Sequence, residues 1–278
     1  MIPPKAQNDD FLGRFREAIS DPLNLLIERN PMAGIIEQNE VCLHNGNWVP
    51  LTGDYAYYGI FSHLLAMNRG VHEPLEEYIF QELLRVLPHT PTMIELGAYW
   101  GHYSMWLKRI RPGATVVLVE PEKLNIQAGV HNFNRNGFMG TFIQSLVGHG
   151  NLEIDSFLRN QGIAHLDILH ADIQGSEVEM LEDSKKSLGA RLIDYLFIST
   201  HSQTLHGQVL AELSRVGYRI EVSSDFDHDT TSYDGLVFAS SPLVNPLFSN
   251  FSPIGRERLG ESSTEQLLQS LLAIKCNR

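Results

Sequence analysis

Residues 93–107 read MIELGAYWGHYSMWL. A short apolar run carries the acid Glu95 near its end, and Gly97 and Gly101 follow at the mouth of a helical pattern. Glycine lets a chain turn sharply and lets backbone approach a ligand where a side chain would stand in the way. The spacing is E-x-G-x-x-x-G rather than G-x-G-x-x-G, so a pyrophosphate-binding dinucleotide loop is disfavoured. The next apolar run, TVVLVEP at 115–121, brings Glu120 to the end of a second strand. There a carboxylate can accept hydrogen bonds from both hydroxyls of a ribose. Together the two strand ends point to an adenosine-containing ligand. The plainer alternative is a helix-entry turn beside an exposed charge.

Outward from this stretch, short apolar runs alternate with helical patterns, as in a mostly parallel sheet covered on both faces. Strands are predicted at 93–96, 115–120, 140–145, 166–171, 195–200, 218–222 and 236–239, with helices between the first six. In a doubly wound sheet of this kind ligands sit at the carboxyl ends of strands, so the residues just after each strand are where chemistry is sought.

Upstream, Phe11, Phe15, Ile19, Leu23 and Leu26 recur at helical intervals, and Pro22 divides them into two short helices. Residues 45–59 are rich in Gly, Asn, Pro and Tyr and read as an irregular lid or connector. After Pro74 a stripe of Leu75, Ile79, Leu83 and Leu84 predicts a helix that Pro88 and Pro91 stop. Downstream, Pro242, Pro246 and Pro253 mark an extended passage. Ser262 and Glu265 then form a capping-box pattern before Leu267, Leu268, Leu271 and Leu272. That apolar stripe must dock on its own domain or on a second copy, making a homo-oligomer.

The 278 residues are 43% apolar, enough for a proper core. A formal charge of −12, without a clustered basic face, argues against a nucleic-acid partner. Cys42 and Cys276 lie far apart in no metal-type spacing and read as free thiols of a reducing compartment. The N-terminal MIPPKAQNDD lacks an apolar h-region, and no run of about 18 apolar residues occurs, so a cytoplasmic protein without a membrane span is expected. The sequence contains no G-x-S-x-G elbow, which sets a hydrolase aside.

Five segments resemble the FkbM-type family of class I S-adenosylmethionine-dependent methyltransferases. They are VHEP at 71–74, IELGAYWGHYS at 94–104, LVEPEKLN at 118–125, LEIDSFL at 152–158 and LHADIQGSEVEML at 169–181. The last carries D-x-x-G-x-E, a hallmark of that family, and the resemblance spans residues 71–239. It implies a Rossmann-like, seven-stranded, mostly parallel sheet with helices on both faces and an N-terminal helical extension. The chain then divides into an extension or substrate cap at 1–74, a cofactor-binding domain at 75–240 and a C-terminal segment with an amphipathic helix at 241–278. S-Adenosyl-L-methionine is the implied cofactor. The turn from Glu95 through Gly97, Ala98 and Tyr99 to Gly101, with Tyr103 and Ser104 beyond it, would cradle the methionine part. Glu120, with Pro121 and Asn125, would hold the ribose, and Gln144 and Ser145 would lie near the adenine. The chain departs from the family in its brief VGHGN at 147–151, where relatives carry a longer segment.

Asp172 after the fourth strand and His201 after the fifth are the expected catalytic pair, with Asp172 also bordering the cofactor. Methyl transfer is an in-line displacement that needs alignment and removal of a proton. His201 could act as the base, or a Mg or Mn ion held by Asp172, His201, Glu177 and His170 could acidify the hydroxyl. His170 precedes Asp172 by two residues, so both point to one side of the strand. The plainer expectations are that His170 is a packed strand residue, that His206 caps a helix or faces solvent, and that Asp172 only caps the next helix. In FDHDTTSYDG at 226–235 and just before it, Asp225, Asp227 and His228 are candidate substrate contacts. Tyr99, Trp100, His102 and Tyr103 could form an aromatic rim, whereas Trp106 reads as core. The favoured activity is O-methylation of a sugar, glycan or secondary-metabolite hydroxyl, a small-molecule or glycan substrate. A NAD-dependent oxidoreductase and a non-catalytic binding protein are the competing classes.

Overall fold

The computed structural model describes residues 11–249 and 251–276. Helix α1 (Phe11–Ser20) ends before Pro22, and Asp21 caps the 3-10 turn Pro22–Leu25 by accepting from Leu23 N at 2.8 Å. Strands β1 (Ile36–Glu37), β2 (Glu40–Cys42) and β3 (Trp48–Pro50) form a small antiparallel sheet, followed by the 3-10 turn Gly59–Phe61 and α2 (Ser62–Met67). The sheet corrects the expectation that 45–59 is irregular throughout. Its strands are two or three residues long, too short for a visible alternation of polar and apolar residues.

Next come α3 (Pro74–Val86), β4 (Thr92–Leu96), α4 (His102–Ile110), β5 (Thr115–Glu120), α5 (Lys123–Asn136) and β6 (Thr141–Gln144). They are followed by α6 (Ile154–Gln161), β7 (Leu166–Ala171), α7 (Glu177–Asp183), α8 (Lys185–Gly189), β8 (Ile193–Thr200) and α9 (Gln203–Arg215). The chain closes with β9 (Arg219–Ser224), β10 (Gly235–Ser240), α10 (Arg256–Glu261) and α11 (Thr264–Cys276).

The large sheet has the order β6-β5-β4-β7-β8-β10-β9, parallel except for β10, which runs antiparallel to both neighbours. This is the seven-stranded, Rossmann-like sheet that the resemblance implies. From β4 the chain winds outward to β5 and β6, then returns to place β7 and β8 on the other side. The topological switch point therefore lies between β4 and β7, where such sheets open a crevice for ligands.

Successive side chains on a strand face opposite ways, and here each way leads into a core. Met93, Ile168, Phe197 and Phe238 join one apolar cluster with α3, α4 and the N-terminal extension. Ile94, Leu169, Leu196 and Val237 join the other, with α6, α7 and α9. That double burial explains why these strands read as unbroken apolar runs. Leu271 and Ile274 of α11 pack into the first cluster, while Leu268 and Leu272 stay exposed. The α11 capping box is one residue later than expected: Ser263 N donates to Gln266 Oε1 at 2.7 Å and Gln266 N to Ser263 Oγ at 3.3 Å. Cys42 is buried and unpaired, and the side chain of Cys276 lies outside the described residues, as does MIPPKAQNDD. Among the described residues no helix is long and apolar enough to cross a membrane.

Candidate functional site

At the carboxyl ends of the parallel strands lies a cavity of about 610 Å³. Its sheet-side wall includes Glu95, Gly97, Ala98, Tyr99, Glu120, Pro121, Asn125, Asp172 and His201, and the extension contributes Arg14, Tyr57, Tyr58, His72 and Glu73. Seven carboxylates line it, and Arg14 is the one arginine or lysine among the described lining residues.

Gly97 has φ +70°, and a Cβ there would stand 1.7 Å from the carbonyl oxygen of Asp172. Its N–H and that of Ala98 donate to Val119 O at 2.8 and 3.0 Å, while Asp172 N donates to Leu96 O at 2.9 Å. The close approach that glycine permits here is thus to the end of β7, not to a ligand as the sequence suggests. Gly101 (φ +79°) packs against Leu118 and Phe133, and like Ser104 it lies behind the cavity wall. Tyr58, Tyr99 and Gln174 all have positive φ and all line the cavity. For such side chains this backbone is strained, a feature that gathers at working sites.

Glu120 is held by three donors. Its Oε2 accepts from Tyr99 N at 3.0 Å, and Oε1 accepts from Glu122 N at 3.0 Å and Asn125 Nδ2 at 3.1 Å. Glu95 is buried and accepts from Ser104 N at 3.0 Å, tying the strand to the first turn of α4. Burial pushes its carboxyl up, against the pull of His170 and the Ser104 bonds. Tyr103 donates to Glu73 Oε2 at 2.8 Å. Burial pushes Glu73 up to about 8, against the pull of His72 and with the help of Glu76 and Asp172. Gln144 and Ser145 do not reach the cavity. Gln144 Nε2 bonds Pro121 O, Ser145 Oγ bonds Leu146 O, and the wall there is Leu146 and Val147.

Across the cavity, His201 Nδ1 bonds Glu177 Oε1 at 2.7 Å, and Nε2 lies 3.0 Å from Asp172 Oδ1 and 3.6 Å from Asp234 Oδ1. Burial pushes the imidazole down, but the carboxylates of Asp172, Glu177 and Asp234 outweigh it and hold it up at about 10. At neutral pH, without a metal, His201 is an imidazolium. A ring in that state already carries the proton that the expected base role would have it take.

Asp172, His201 and Asp234 each place a ligand atom within 4.8 Å of the others. Of the four expected metal ligands, Asp172 and His201 fall in this group, with Asp234 beside them, and Glu177 and His170 do not. Glu177 stands behind His201 on Nδ1, and His170 Nε2 is engaged by Glu76 Oε1 at 2.5 Å. Burial opposes charge on His170, but Glu76 outweighs it and holds the ring at about 8. His170 and Asp172 do line the same cavity, as their spacing predicts. His206 is buried rather than solvent-facing, between Thr200 Oγ1 at 2.8 Å and Ser223 Oγ at 2.9 Å. Asp225 accepts from His228 N and Asp229 N, and His228 pairs with Glu257 on the surface, so with Asp227 they shape the loop outside the cavity.

From that loop the cavity receives Tyr233 and Asp234 instead. A findable signal existed: β10 is antiparallel, so its amino end lies beside the carboxyl ends of the others, and the residue before it belongs to the site. Trp100, His102 and Tyr103 are buried wall residues, with Trp100 stacked on His102 at 5.4 Å; Tyr99 pairs with Tyr58 at 4.6 Å. Trp106 is core, as expected.

The family model of the methyltransferase FkbM domain matches residues 145–220. No curated protein matches the chain. Among solved structures, the methyltransferase FkbM of Methylobacillus flagellatus KT is 20% identical, covering 68% of this chain and 55% of that one, with a TM-score of 0.43. The precorrin-6y C5,15-methyltransferase of Geobacter metallireducens GS-15 is 14% identical over 59% of this chain and 87% of that one, at 0.44. M. capricolum TrmK, in complex with S-adenosyl-homocysteine, is 14% identical over 71% and 83%, at 0.43. Identity and TM-score are low in all three, and the fold is evident in the strand order itself.

Proposed function

We propose, from the premise of a class I methyltransferase fold with an FkbM-domain match at 145–220, that this chain methylates a hydroxyl oxygen on a small sugar-like molecule, glycan or secondary metabolite. One observation carries the proposal: the held Glu120 carboxylate and the Asp172–His201–Asp234 group open onto the same cavity. S-Adenosyl-L-methionine, when bound, supplies a methyl group on a sulfonium. The residues fit it, because the lining acids, even with Glu73 largely protonated at pH 7, outnumber Arg14 and the imidazoliums of His170 and His201, which favours a cationic ligand and opposes the two phosphates of NAD. Glu120, already fixed by three N–H donors, keeps lone pairs for ribose hydroxyls.

Asp172 and Asp234 are the groups that receive the acceptor's proton, since His201 is already protonated and can only orient them and balance their charge. The extension, through Arg14, Tyr57 and Tyr58, roofs the cavity and limits water at the reacting oxygen, so of the divisions 1–74, 75–240 and 241–278 the described part of the first serves as the cap, the second holds the cofactor and the third braces the fold through Leu271 and Ile274. Cytoplasmic placement and a homo-oligomer contact through the exposed Leu268 and Leu272 belong to the same proposal.

A second reading is favoured by Glu177. An imidazole whose Nδ1 is fixed by a buried carboxylate presents Nε2 to a metal in the usual way. Asp172, His201 and Asp234 would then ligate Mg or Mn, which would lower the hydroxyl's pKa. Calorimetry with S-adenosylhomocysteine and with NAD, before and after chelator, tests both. Binding of the first compound alone is expected; its absence, or binding of NAD, overturns the proposal. Turnover lost to chelator and restored by Mn selects the metal, and unchanged turnover selects the carboxylates.

A further inference from the structure

Behind the cavity wall, Glu77 is fully buried and faces three buried histidines, His44, His72 and His102. They come from distant parts of the chain. His44 lies between β2 and β3, Glu77 in the first turn of α3, and His102 directly after Gly101 at the start of α4. Glu77 Oε1 is occupied: the His72 backbone N–H donates to it at 3.3 Å, and His72 Nδ1 lies 2.7 Å away. Oε2 has no hydrogen-bond partner among the described residues. Neither has His44 Nε2, and neither has either ring nitrogen of His102, although His102 Nε2 lies 3.3 Å from Glu77 Oε1. Buried polar atoms in native proteins are almost always satisfied, and a group of bare ones in contact calls for a missing partner. His44, Glu77 and His102 each place one ligand atom within 4.8 Å of the others.

We propose that His44, Glu77 and His102 form a structural site for a divalent first-row metal ion, zinc foremost, that ties the N-terminal extension to the start of α4. Two imidazoles and one carboxylate suit such an ion, whereas Mg and Ca prefer oxygen alone. The donors close from their present spacing to about 2.0–2.2 Å from the ion by small side-chain rotations. His72 remains beside Oε1 as the outer partner that orients the carboxylate. His44 Nδ1, 4.0 Å from Glu77 Oε2, now lies 2.9 Å from the Gly70 carbonyl; ligation through it moves the ring's single proton to the bare Nε2, so the imidazole stays neutral. The ion would bear on the cofactor turn only by fixing His102 beside it. The site shares no residue with Asp172, His201 and Asp234 and holds whether or not the proposed reaction is right. The clusters around His149 and His165 each carry an exposed histidine and invite no such inference.

The test is equilibrium dialysis of the full chain against zinc, with metal content read by mass spectrometry. His201→Gln disables the cluster in the cavity, and in that background one equivalent of zinc is expected to remain. Adding His44→Gln should remove it and erase a zinc-dependent rise of several degrees in thermal midpoint. No retained zinc in His201→Gln, or equal zinc in the double variant, overturns the proposal. Should the double variant fail to fold, X-ray absorption of zinc-loaded His201→Gln decides: scattering from two imidazoles is expected, and one or none overturns it.

Discussion

The two walls of the cavity are built on different terms. On the sheet side most residues end a strand or follow one closely, and the hydrogen-bond ladder sets the position of those ends: Asp172 N reaches Leu96 O, and Gly97 and Ala98 reach Val119 O. On the cap side Tyr57, Tyr58 and Arg14 close no strand and are placed by ring contacts and single bonds, such as Tyr58 N to Tyr99 Oη at 2.7 Å and Arg14 over Tyr233 at 4.2 Å. Rigid elements hold groups that must meet the reacting atoms, while loops suit selection of an acceptor. Substitutions should therefore hurt most on the sheet side.

The sharpest contrast is between two glycines of positive φ. Gly97→Ala places a methyl 1.7 Å from the Asp172 carbonyl, and neither strand end can yield without breaking the β4–β7 pairing. A loss of more than about 4 kcal/mol, or failure to fold, is expected. Gly59→Ala in the cap, with φ +61° and open space around it, should lose only about 1–2 kcal/mol. Denaturant midpoints check both, and equal losses would break the comparison.

Next in size is the split between turnover and acceptor binding. Asp172→Asn keeps the side chain's shape and should lower kcat by roughly 10²–10⁴ while leaving S-adenosylhomocysteine affinity within a few-fold. Arg14→Ala should raise KM for the acceptor and change kcat little. Steady-state kinetics on any accepted hydroxyl substrate separates the two. A kcat effect from Arg14 as large as that from Asp172 would put the reacting atoms nearer the cap.

The legible part of the site was the part built on strand ends. Glu95, Glu120, Asp172 and His201 could be found because an apolar run announces each strand and the sheet's connectivity brings the ends together. Asp234 was missed because β10 runs the other way, so its site-facing residue precedes the strand. Glu76 and Asp234 determine what His170 and His201 do, yet neither partnership leaves a periodic trace, being fixed by packing across 94 and 33 positions of chain. Gln144 and Ser145 follow only from the resemblance; their side chains bond Pro121 O and Leu146 O, and Leu146 and Val147 form the wall there.

The charge on His201 gives a smaller but signed effect. Its folded pKa, about 10, lies above the ordinary value of 6.5, so the stabilisation is fully present below about pH 6.5 and fades as pH rises toward 10. In chelator, the thermal midpoint of the wild type should fall relative to His201→Asn across that interval, and parallel curves would refute the ion-pair account. If Mn binds there, it competes with the proton on Nε2, so Mn should stabilise the protein more at pH 8 than at pH 6.5.

The smallest expected effect lies where the two walls touch. Tyr99 belongs to both: its backbone N–H donates to Glu120, while its hydroxyl accepts from Tyr58 N at 2.7 Å and donates to Ala56 O at 3.4 Å. Tyr99→Phe leaves the Glu120 bond and the ring contact with Tyr58 intact and removes only the link to the cap. Losing a neutral hydrogen bond between half-buried groups weakens stability by about 0.5–1.5 kcal/mol. Tyr58 holds a strained φ of +41°, so the freed segment should relax and expose backbone amides to exchange. Faster hydrogen exchange confined to residues 56–60, with S-adenosylhomocysteine affinity reduced no more than a few-fold, is the expected result. A loss of affinity as large as that from removing the Glu120 carboxylate would mean that the cap, and not the strand ends, holds the cofactor turn in shape.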